Sequence, residues 1–446
     1  MEKRLIKVSE MIHILYNQFA KVRDVRTGKN TQYEMSDAIM GAFAIFHMQS
    51  PSFLNGQKQL QEKLEQNNAE TLYEIRQIPT DTHIRNLLDP LDPKENMGCF
   101  KEIIDRLATN GYLDEMRGYD EKLLIAVDGS QYHESHKISC AKCNTRVKDD
   151  KIDYYHVILA PAIVQANQKE ILPIEPEFLE PQDGHDKQDS ELAAFYRWLT
   201  SYGKRYARYG AILLGDDLYC NEPACRKMLK AGFHFILTCK PTSHEFMAGT
   251  RQFLENIPNQ ELVRSVSKRI WTGRRGVIHQ FRYINDLPLK MDKNPLTVNW
   301  CEYTETDEKS GECLYRNEFA TDYRITDKNV ENIALSGRNR WDIENSGFNV
   351  LKKRGFHFEH NFGHGEQNLS TVLATLNLLS FLVHNTCKLT DVVYAYIRNK
   401  SDTNSQYFER VRVLTEVFVF EDWDKLFELL KYRLEHGRIS ISEFLN

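Results

Sequence analysis

The sequence predicts an α/β protein: a mixed β-sheet with helices, an antiparallel β insertion, and a helical N-terminal domain. Three observations predict this class. Polar helical patterns fill the first 118 residues, short apolar runs alternate with helical patterns from residue 123, and residues 262–326 are rich in Val, Ile, Thr, Trp and Tyr. A chain of 446 residues has room for two to three domains.

The composition limits the classes of protein to which the chain can belong. Hydrophobic residues make up 41% and charged residues 27% of the chain, as in ordinary globular proteins. The net charge of −5 means that an anionic partner must be met by local basic patches. The start, "MEKRLIKVSEM", lacks the apolar segment of a signal peptide, and the most apolar run, residues 371–384, predicts a buried helix too short to span a bilayer. Nine scattered cysteines disfavour a disulfide framework, so we expect a cytoplasmic protein without membrane contact.

Residues 1–118 are expected to be helical. The clearest helix covers "SDAIMGAFAIFHM", residues 36–48, with Ser36 in a suitable N-cap position.

From residue 123 onward, strand and helix signals alternate. Apolar runs predict five strands, with helices before and after the fourth. The strands cover residues 123–127, 154–164, 170–176, 211–215 and 233–239, and the helices cover residues 188–208 and 222–232. The order β-β-β-α-β-α-β is that of an RNase H-like core, in which the first strand lies beside the fourth and parallel to it. Asp128 and Asp216 end these two strands, so we expect them together at the edge where α/β sheets bind ligands.

A third carboxylate lies in "RNRWDIENSGFNVLKKRG", residues 338–355, part of a helix predicted over 327–354. Glu344 stands four residues after Arg340, so the two share a helix face. Three carboxylates brought together repel one another unless cations neutralise them, and hard ions such as Mg²⁺ or Mn²⁺ prefer oxygen ligands. Two such ions, held by Asp128, Asp216 and Glu344, would support phosphoryl transfer at a phosphodiester. The alternative for each aspartate alone is a turn former at a strand end.

The motifs that carry these residues resemble a known family. "AVDGS" and "LLGDDLY" after apolar strands, and "RWDIE" after a β-rich insertion, resemble the DDE-type transposases of bacterial insertion sequences. The resemblance extends over about residues 36–390 and is closest to the subgroup whose glutamate sits in a Y-x2-R-x3-E-x6-K signature. It implies an RNase H-like core interrupted by a β insertion before the glutamate.

The resemblance implies a role for each matching position. Asp128, Asp216 and Glu344 match the catalytic and metal-binding residues, and Asp217 is the adjacent competitor for the second position. Two positions depart from the signature. Gly337 fills the tyrosine position, and Leu351 fills the lysine position, with Lys352 and Lys353 one and two places later.

The function so implied is that of a DNA transposase, which cleaves double-stranded DNA at terminal inverted repeats and joins the ends to target DNA. Two protomers would pair the ends, and the protein would associate with the nucleoid when bound to DNA. The predicted division is a helical DNA-binding domain (1–118), the first part of the catalytic core (119–261), the β-rich insertion (262–326), the second part of the core with the Glu-bearing helix (327–390) and a C-terminal helical tail (391–446). Two alternatives remain: a catalytically silent DNA-binding descendant, and an RNase H-like nuclease without strand transfer.

Basic side chains are candidates for contact with the DNA backbone. The segment 264–282 interleaves cations with Trp271 and Phe281, which suits a nucleic-acid surface as well as an ordinary charged hairpin. The predicted DNA-binding residues are Arg340, Lys352, Lys353, Lys240, Arg274 and Arg275.

A second candidate metal site lies in "HESHKISCAKC". Its His133, His136, Cys140 and Cys143 allow a structural zinc on the hairpin after the first strand, with reduced free thiols as the alternative.

Overall fold

The computed structural model describes residues 3–24, 26, 31–60, 67–165, 168–181, 189–257 and 262–437. Within these residues the protein is a mixed α/β structure with one large and one small β-sheet. The strands are β1 (Leu123–Ala126), β2 (Gly129–Ser135), β3 (Asn144–Lys148), β4 (Lys151–Leu159), β5 (Ala162–Val164), β6 (Leu172–Pro173), β7 (Glu177–Leu179), β8 (Ala211–Gly215), β9 (His234–Thr238), β10 (Arg264–Trp271), β11 (Gly276–Pro288), β12 (Thr297–Asp307) and β13 (Cys313–Thr321).

Helices cover both ends of the chain and the crossovers between the core strands. They are α1 (Val8–Phe19), α2 (Met35–His47), α3 (Phe53–Leu60), α4 (Asn68–Tyr73), α5 (Asp81–Leu88), α6 (Met97–Thr109), α7 (Tyr112–Glu115), α8 (Glu191–Trp198), α9 (Lys204–Arg208), α10 (Glu222–Ala231), α11 (Glu245–Glu255), α12 (Val330–Arg338), α13 (Asn349–Lys353), α14 (Leu369–Thr390), α15 (Val392–Asn399), α16 (Asn404–Val417) and α17 (Trp423–His436). The predicted tail therefore contains α15 to α17, and its residues 438–446 lie outside the described part.

The large sheet has nine strands in the order β10-β11-β12-β13-β9-β8-β1-β5-β6. β1 pairs with β8 in parallel, and β8 pairs with β9 in parallel, whereas β1 and β5 are antiparallel. The predicted strands at 123–127, 211–215 and 233–239 are confirmed, as is the parallel pairing of the first with the fourth. The fully buried strands β1 and β8 form the middle of the hydrophobic core.

The strand predicted over residues 154–164 was wrong as a single element. β4 belongs to the small sheet, whose order is β2-β4-β3 with β7 beside β4, while β5 belongs to the large sheet. The change of sheet falls at Ala160 and Pro161. Pro161 has no N–H to donate to a strand ladder, and its carbonyl accepts from the N–H of Ile174 at 2.9 Å. The chain therefore bends out of the small sheet at the proline.

The antiparallel β segment predicted within 262–326 is present as β10 to β13. It is continuous with the core, because β13 pairs antiparallel with β9 through Phe319 and Thr238.

The N-terminal helices share a core with α14. Every residue of α2 is buried, and the hydroxyl of Ser380 donates to the carbonyl of Phe46 at 3.0 Å. The rings of His47 and His384 stack with centroids 4.4 Å apart. Among the described helices, α14 alone is long and apolar enough to cross a membrane, and 89% of its apolar window is buried inside the protein. The predicted burial is confirmed, but the expectation that this helix is too short to span a bilayer was wrong, because it has 22 residues.

The single helix predicted over residues 327–354 was wrong. α12 ends at Arg338, a tight turn follows in which the N–H of Arg340 donates to Gly337 at 3.3 Å, and a π-helical turn then covers Ile343–Phe348 before α13. π-turns interrupt helices most often at functional sites. Glu344 lies in this one.

A four-carboxylate site at the edge of the large sheet

Asp128 and Asp216 lie at equivalent positions on neighbouring strands. Ala126 of β1 is paired with Leu214 of β8, and each aspartate follows two residues later. The parallel pairing therefore brings both to the same edge of the sheet. Asp128 accepts a hydrogen bond from the N–H of Gly129 at 3.0 Å, and Asp216 accepts one from the N–H of Leu218 at 2.8 Å.

Asp217 is held by a different set of groups. Its Oδ1 accepts from the N–H of Lys240 at 2.6 Å and lies 3.2 Å from Nε2 of His244. Both partners lie in the segment that follows β9, and β9 is on the far side of β8 from β1. Asp216 is therefore the better candidate for a site shared with Asp128.

Arg340 joins Asp128 to Glu344. Its Nη1 lies 3.4 Å from Oδ2 of Asp128 and 3.1 Å from Oε1 of Glu344. The Arg340 side chain is only 8% exposed, and its guanidinium lies 4.7 Å from the ring centroid of Trp341. The expected contact between Arg340 and Glu344 thus survives the break in the helix. The guanidinium, predicted to contact a phosphate, here neutralises two carboxylates.

Glu191 is a fourth carboxylate that the sequence did not reveal. It is the first residue of α8, after the N-cap Ser190, and its Oε1 accepts from the hydroxyl of Tyr219 at 2.6 Å. A Cβ built on Gly129 would lie 2.2 Å from Oε2 of Glu191, so only glycine permits this approach. No motif marks Glu191, because an acid after an N-cap serine reads as an ordinary helix start.

The four carboxylates repel one another. Burial raises the pKa of Asp128 to about 7; Arg340 opposes this rise, while the charges of Glu191, Glu344 and Asp216 add to it. Burial also raises the pKa of Glu191, and Asp216 adds to that rise. The site therefore concentrates more negative charge than its single buried arginine offsets. We call Asp128, Glu191, Asp216 and Glu344 the acidic site.

The donor chemistry of the acidic site suits Mg²⁺ or Mn²⁺, which take carboxylate oxygens. Among the described residues, its oxygen atoms do not form a group that lies within 4.8 Å of one another. Among the described residues, two groups of ligand atoms lie within 4.8 Å of one another, and both consist of cysteines and histidines. The groups are Cys140, Cys143, His156 and His364, and Cys220, Cys239 and His244.

The two departures from the signature both face the core. A Cβ on Gly337 would lie 2.6 Å from Cδ1 of Phe319 and 3.0 Å from Cγ2 of Ile236, so a tyrosine cannot occupy this position of α12. Leu351 is 1% exposed and belongs to the hydrophobic core. Neither position can present a polar side chain to DNA in this structure.

The predicted DNA-binding lysines lie in different surroundings. Lys352 is 18% exposed, and its Nζ donates to the carbonyl of Gln131 at 2.7 Å and pairs with Glu359 at 2.9 Å. It therefore ties α13 to β2, the strand that begins directly after Asp128. Lys353 and Lys240 are exposed.

Arg274 and Arg275 lie far from the acidic site. They are exposed in the turn between β10 and β11, and Arg275 lies 3.5 Å from Asp307. β10 is six strands from β1, which corresponds to about 29 Å at the usual spacing between strands.

The four candidate zinc ligands are divided. Cys140 and Cys143 lie together, joined by His156 and His364. His136 instead lies 2.7 Å from Asp153, and the ring of His133 packs at a tilt of 42° against that of His364, with centroids 4.4 Å apart. His156 and His364 were missed because they reach the cysteines only through the fold.

No protein-family model matches the chain, and no curated protein matches it significantly. Its function is therefore argued from its own residues and their geometry.

Proposed function

We propose that this protein is a DNA transposase that cleaves and joins DNA strands with divalent metal ions at the acidic site. One observation carries the proposal: Asp128 and Asp216 end neighbouring parallel strands, and Arg340 links Asp128 to Glu344 on a separate segment. Burial raises the pKa of Asp128 to about 7, and the charges of Glu344 and Asp216 add to this rise, so the three carboxylates lie close enough to interact. Such an arrangement costs stability, so a functional reason for it is expected.

The strand order supports an RNase H-like core. The five strands β6-β5-β1-β8-β9 place the first core strand in the middle, with parallel partners on one side and an antiparallel hairpin on the other. This is the order that the β-β-β-α-β-α-β sequence of elements requires. The β segment β10 to β13 enters between α11 and α12, ahead of Glu344, as the resemblance to DDE transposases implies.

The residues present fit a pair of Mg²⁺ or Mn²⁺ ions held by Asp128, Asp216 and Glu344, with Glu191 within reach of the first two. When bound, such ions activate a water or a 3′-hydroxyl and stabilise the leaving oxygen. The side chains of the protein have separate tasks. Arg340 balances the carboxylates, Lys352 fixes the distance between α13 and β2, and Lys240 and Lys353 offer exposed charge to a phosphate backbone.

The test is cleavage of labelled duplex DNA carrying the inverted repeats that flank the coding DNA, with Mg²⁺ or Mn²⁺ and purified protein. We expect nicking at the element end, followed by joining of the freed 3′ end to a second duplex. Nicking without joining would identify a nuclease instead. Binding of the repeats without any nicking, in either metal, would contradict the enzyme.

One observation favours a second candidate, a DNA-binding protein that has lost catalysis. Arg340 already neutralises Asp128 and Glu344, and it is buried between them. If that ion pair persists in solution with excess Mg²⁺, no catalytic metal can bind. Calorimetric titration with Mg²⁺ separates the two: heat of binding that disappears in Asp216→Asn supports the transposase, and its absence in the unaltered protein supports the silent form.

A further inference from the structure

The cluster formed by Cys140, Cys143, His156 and His364 lies apart from the acidic site and uses different ligand chemistry. Three of its members are almost completely buried: Cys143 is 5%, His156 1% and His364 7% exposed. Two thiols and two imidazoles are the ligand set of many structural zinc sites. We call these four residues the Cys–His cluster.

The distances within the cluster are those of a tetrahedron around one ion. With Zn–S bonds of about 2.3 Å and Zn–N bonds of about 2.0–2.1 Å, a tetrahedral site has S–S edges of about 3.8 Å and S–N edges of about 3.5 Å. The two sulfur atoms lie 3.8 Å apart. Nε2 of His156 lies 3.5 Å from Sγ of Cys140 and 3.4 Å from Sγ of Cys143, and Nε2 of His364 lies 3.4 Å from Sγ of Cys143.

A backbone donor lies beside one of the two sulfur atoms. The N–H of Cys140 donates to Sγ of Cys143 at 3.4 Å, across the tight turn in which the N–H of Cys143 donates to the carbonyl of Cys140 at 3.2 Å. Backbone donors around ligand atoms are the usual second layer of a metal site, and they fix its ligands in place. The sulfur separation also excludes a disulfide, which requires about 2.05 Å.

We propose that the Cys–His cluster binds one Zn²⁺ as a closed structural site. Four protein ligands leave no open position for water or substrate, as expected of a structural rather than a catalytic ion. The site replaces the compact set of His133, His136, Cys140 and Cys143 that the sequence suggests.

The zinc joins two segments that flank the acidic site. Three of the ligands lie in the antiparallel segment β2 to β4, which begins directly after Asp128. Cys140 and Cys143 lie between β2 and β3, and His156 lies in β4. His364 lies in the segment between α13 and α14, twenty residues after Glu344. The ion therefore fastens the strand that follows Asp128 to the chain that follows Glu344, next to the contact between Lys352 and Gln131.

The test measures zinc in full-length protein purified without chelator, by mass spectrometry of the metal. We expect His364→Gln and Cys143→Ser each to lose one zinc per chain relative to the unaltered protein. His136→Gln and Cys313→Ser, which change a histidine and a cysteine outside the cluster, are expected to keep it. A chelator is expected to lower the Tm of the unaltered protein by roughly 10 °C or more and of His364→Gln much less.

A second measurement keeps the proposal testable if the variants fail to fold. Replacement of the metal by Co²⁺ in the unaltered protein should give the visible absorption of a tetrahedral site together with sulfur-to-cobalt charge transfer. Absence of both zinc and the tetrahedral cobalt spectrum would overturn the proposal. Equal zinc content in Cys143→Ser and the unaltered protein would also overturn it, because the ion would then lie elsewhere.

Discussion

The acidic site and the Cys–His cluster both draw their side chains from distant parts of the chain. Only in the Cys–His cluster do the ligand atoms lie close together. The sulfur and nitrogen atoms of the cluster all lie within 4.8 Å of one another. In the acidic site, Arg340 contacts two of the four carboxylates, those of Asp128 and Glu344. The difference is one of charge. Thiols and imidazoles can be neutral and can approach without an ion, whereas carboxylates repel one another until a cation is present. The distance between ligand atoms therefore depends on their charge as well as on their function.

The largest expected effect is on the rate of DNA cleavage and tests the acidic site. Asp216→Asn should lower the rate of DNA cleavage on the order of a thousandfold, because an amide cannot replace a metal-binding carboxylate. The free energy of unfolding should stay the same or rise, because one of four repelling charges is removed. Gel assays of cleavage and urea denaturation measure the two effects. Asp217→Asn is the matched control, and a similar loss of cleavage there would refute the choice between the neighbours.

The next effect concerns the helix that leads into Arg340 and Glu344. Gly337→Tyr should lower the free energy of unfolding by about 3 kcal/mol, because the new side chain must displace Phe319 and Ile236. Asn332→Tyr, at an exposed position of the same helix, should change it little. Urea denaturation followed by circular dichroism provides the comparison. Equal stability of the two variants would show that the tyrosine position is open after all.

The dependence of stability on pH tests a third region, the stacked histidines of α2 and α14. Burial lowers the pKa of His47 to about 3 and that of His384 well below its usual value, with Arg398 adding to both effects. In the unfolded chain both titrate near 6.5, so the unfolded state binds more protons below that pH. Stability should be fully present above pH 6.5 and fall as the pH drops below it.

The expected loss is on the order of 2 kcal/mol for each histidine between pH 6.5 and 5. Urea midpoints for the unaltered protein and for His384→Gln, measured across this range, test it. The variant should show a shallower dependence on pH. An identical slope in both proteins would place the titrating groups elsewhere.

The smallest expected effect is on Mg²⁺ affinity and concerns Glu191, the carboxylate that no sequence motif indicates. Glu191→Gln should weaken Mg²⁺ binding roughly tenfold while keeping the hydrogen bond from Tyr219. Glu245→Gln, at the first position of α11, is the matched control. Calorimetric titration distinguishes them. Unchanged affinity in Glu191→Gln would leave Glu191 as a structural partner of Tyr219 only.

The sequence predicted those features of the site that depend on residues close together in the chain and on the order of strands and helices. A buried strand that ends in aspartate is visible in the sequence, and the order of strands and helices was enough to expect Asp128 beside Asp216. The spacing of Arg340 and Glu344 also predicted their contact, which the structure shows at 3.1 Å. These inferences needed only periodicity and the handedness of βαβ connections.

The remainder depended on tertiary packing. His364 reaches Cys143 across 221 residues, so no spacing rule could pair them, and the nearby His133 and His136 offered a simpler but different set. Glu191 lies against Gly129, where a Cβ would be 2.2 Å from its Oε2, and no spacing in the sequence indicates this approach. The π-turn that carries Glu344 is a single turn between α-helical residues, which is too short to give a period of its own in the sequence. Whether the acidic site is catalytic stays a prediction, as do the paired protomers and the association with the nucleoid.

Because the large sheet is continuous from β1 to β10, the number of strands between them gives a distance that can be compared with the length of a bound duplex. The basic turn at Arg274 and Arg275 follows β10, which lies six strands from β1, the strand that precedes Asp128. At about 3.4 Å for each base pair, that separation corresponds to about eight or nine base pairs of straight DNA. If the proposed transposase binds DNA ends at the acidic site and the backbone at these arginines, a duplex shorter than this should lose the contribution of Arg274 and Arg275 to binding.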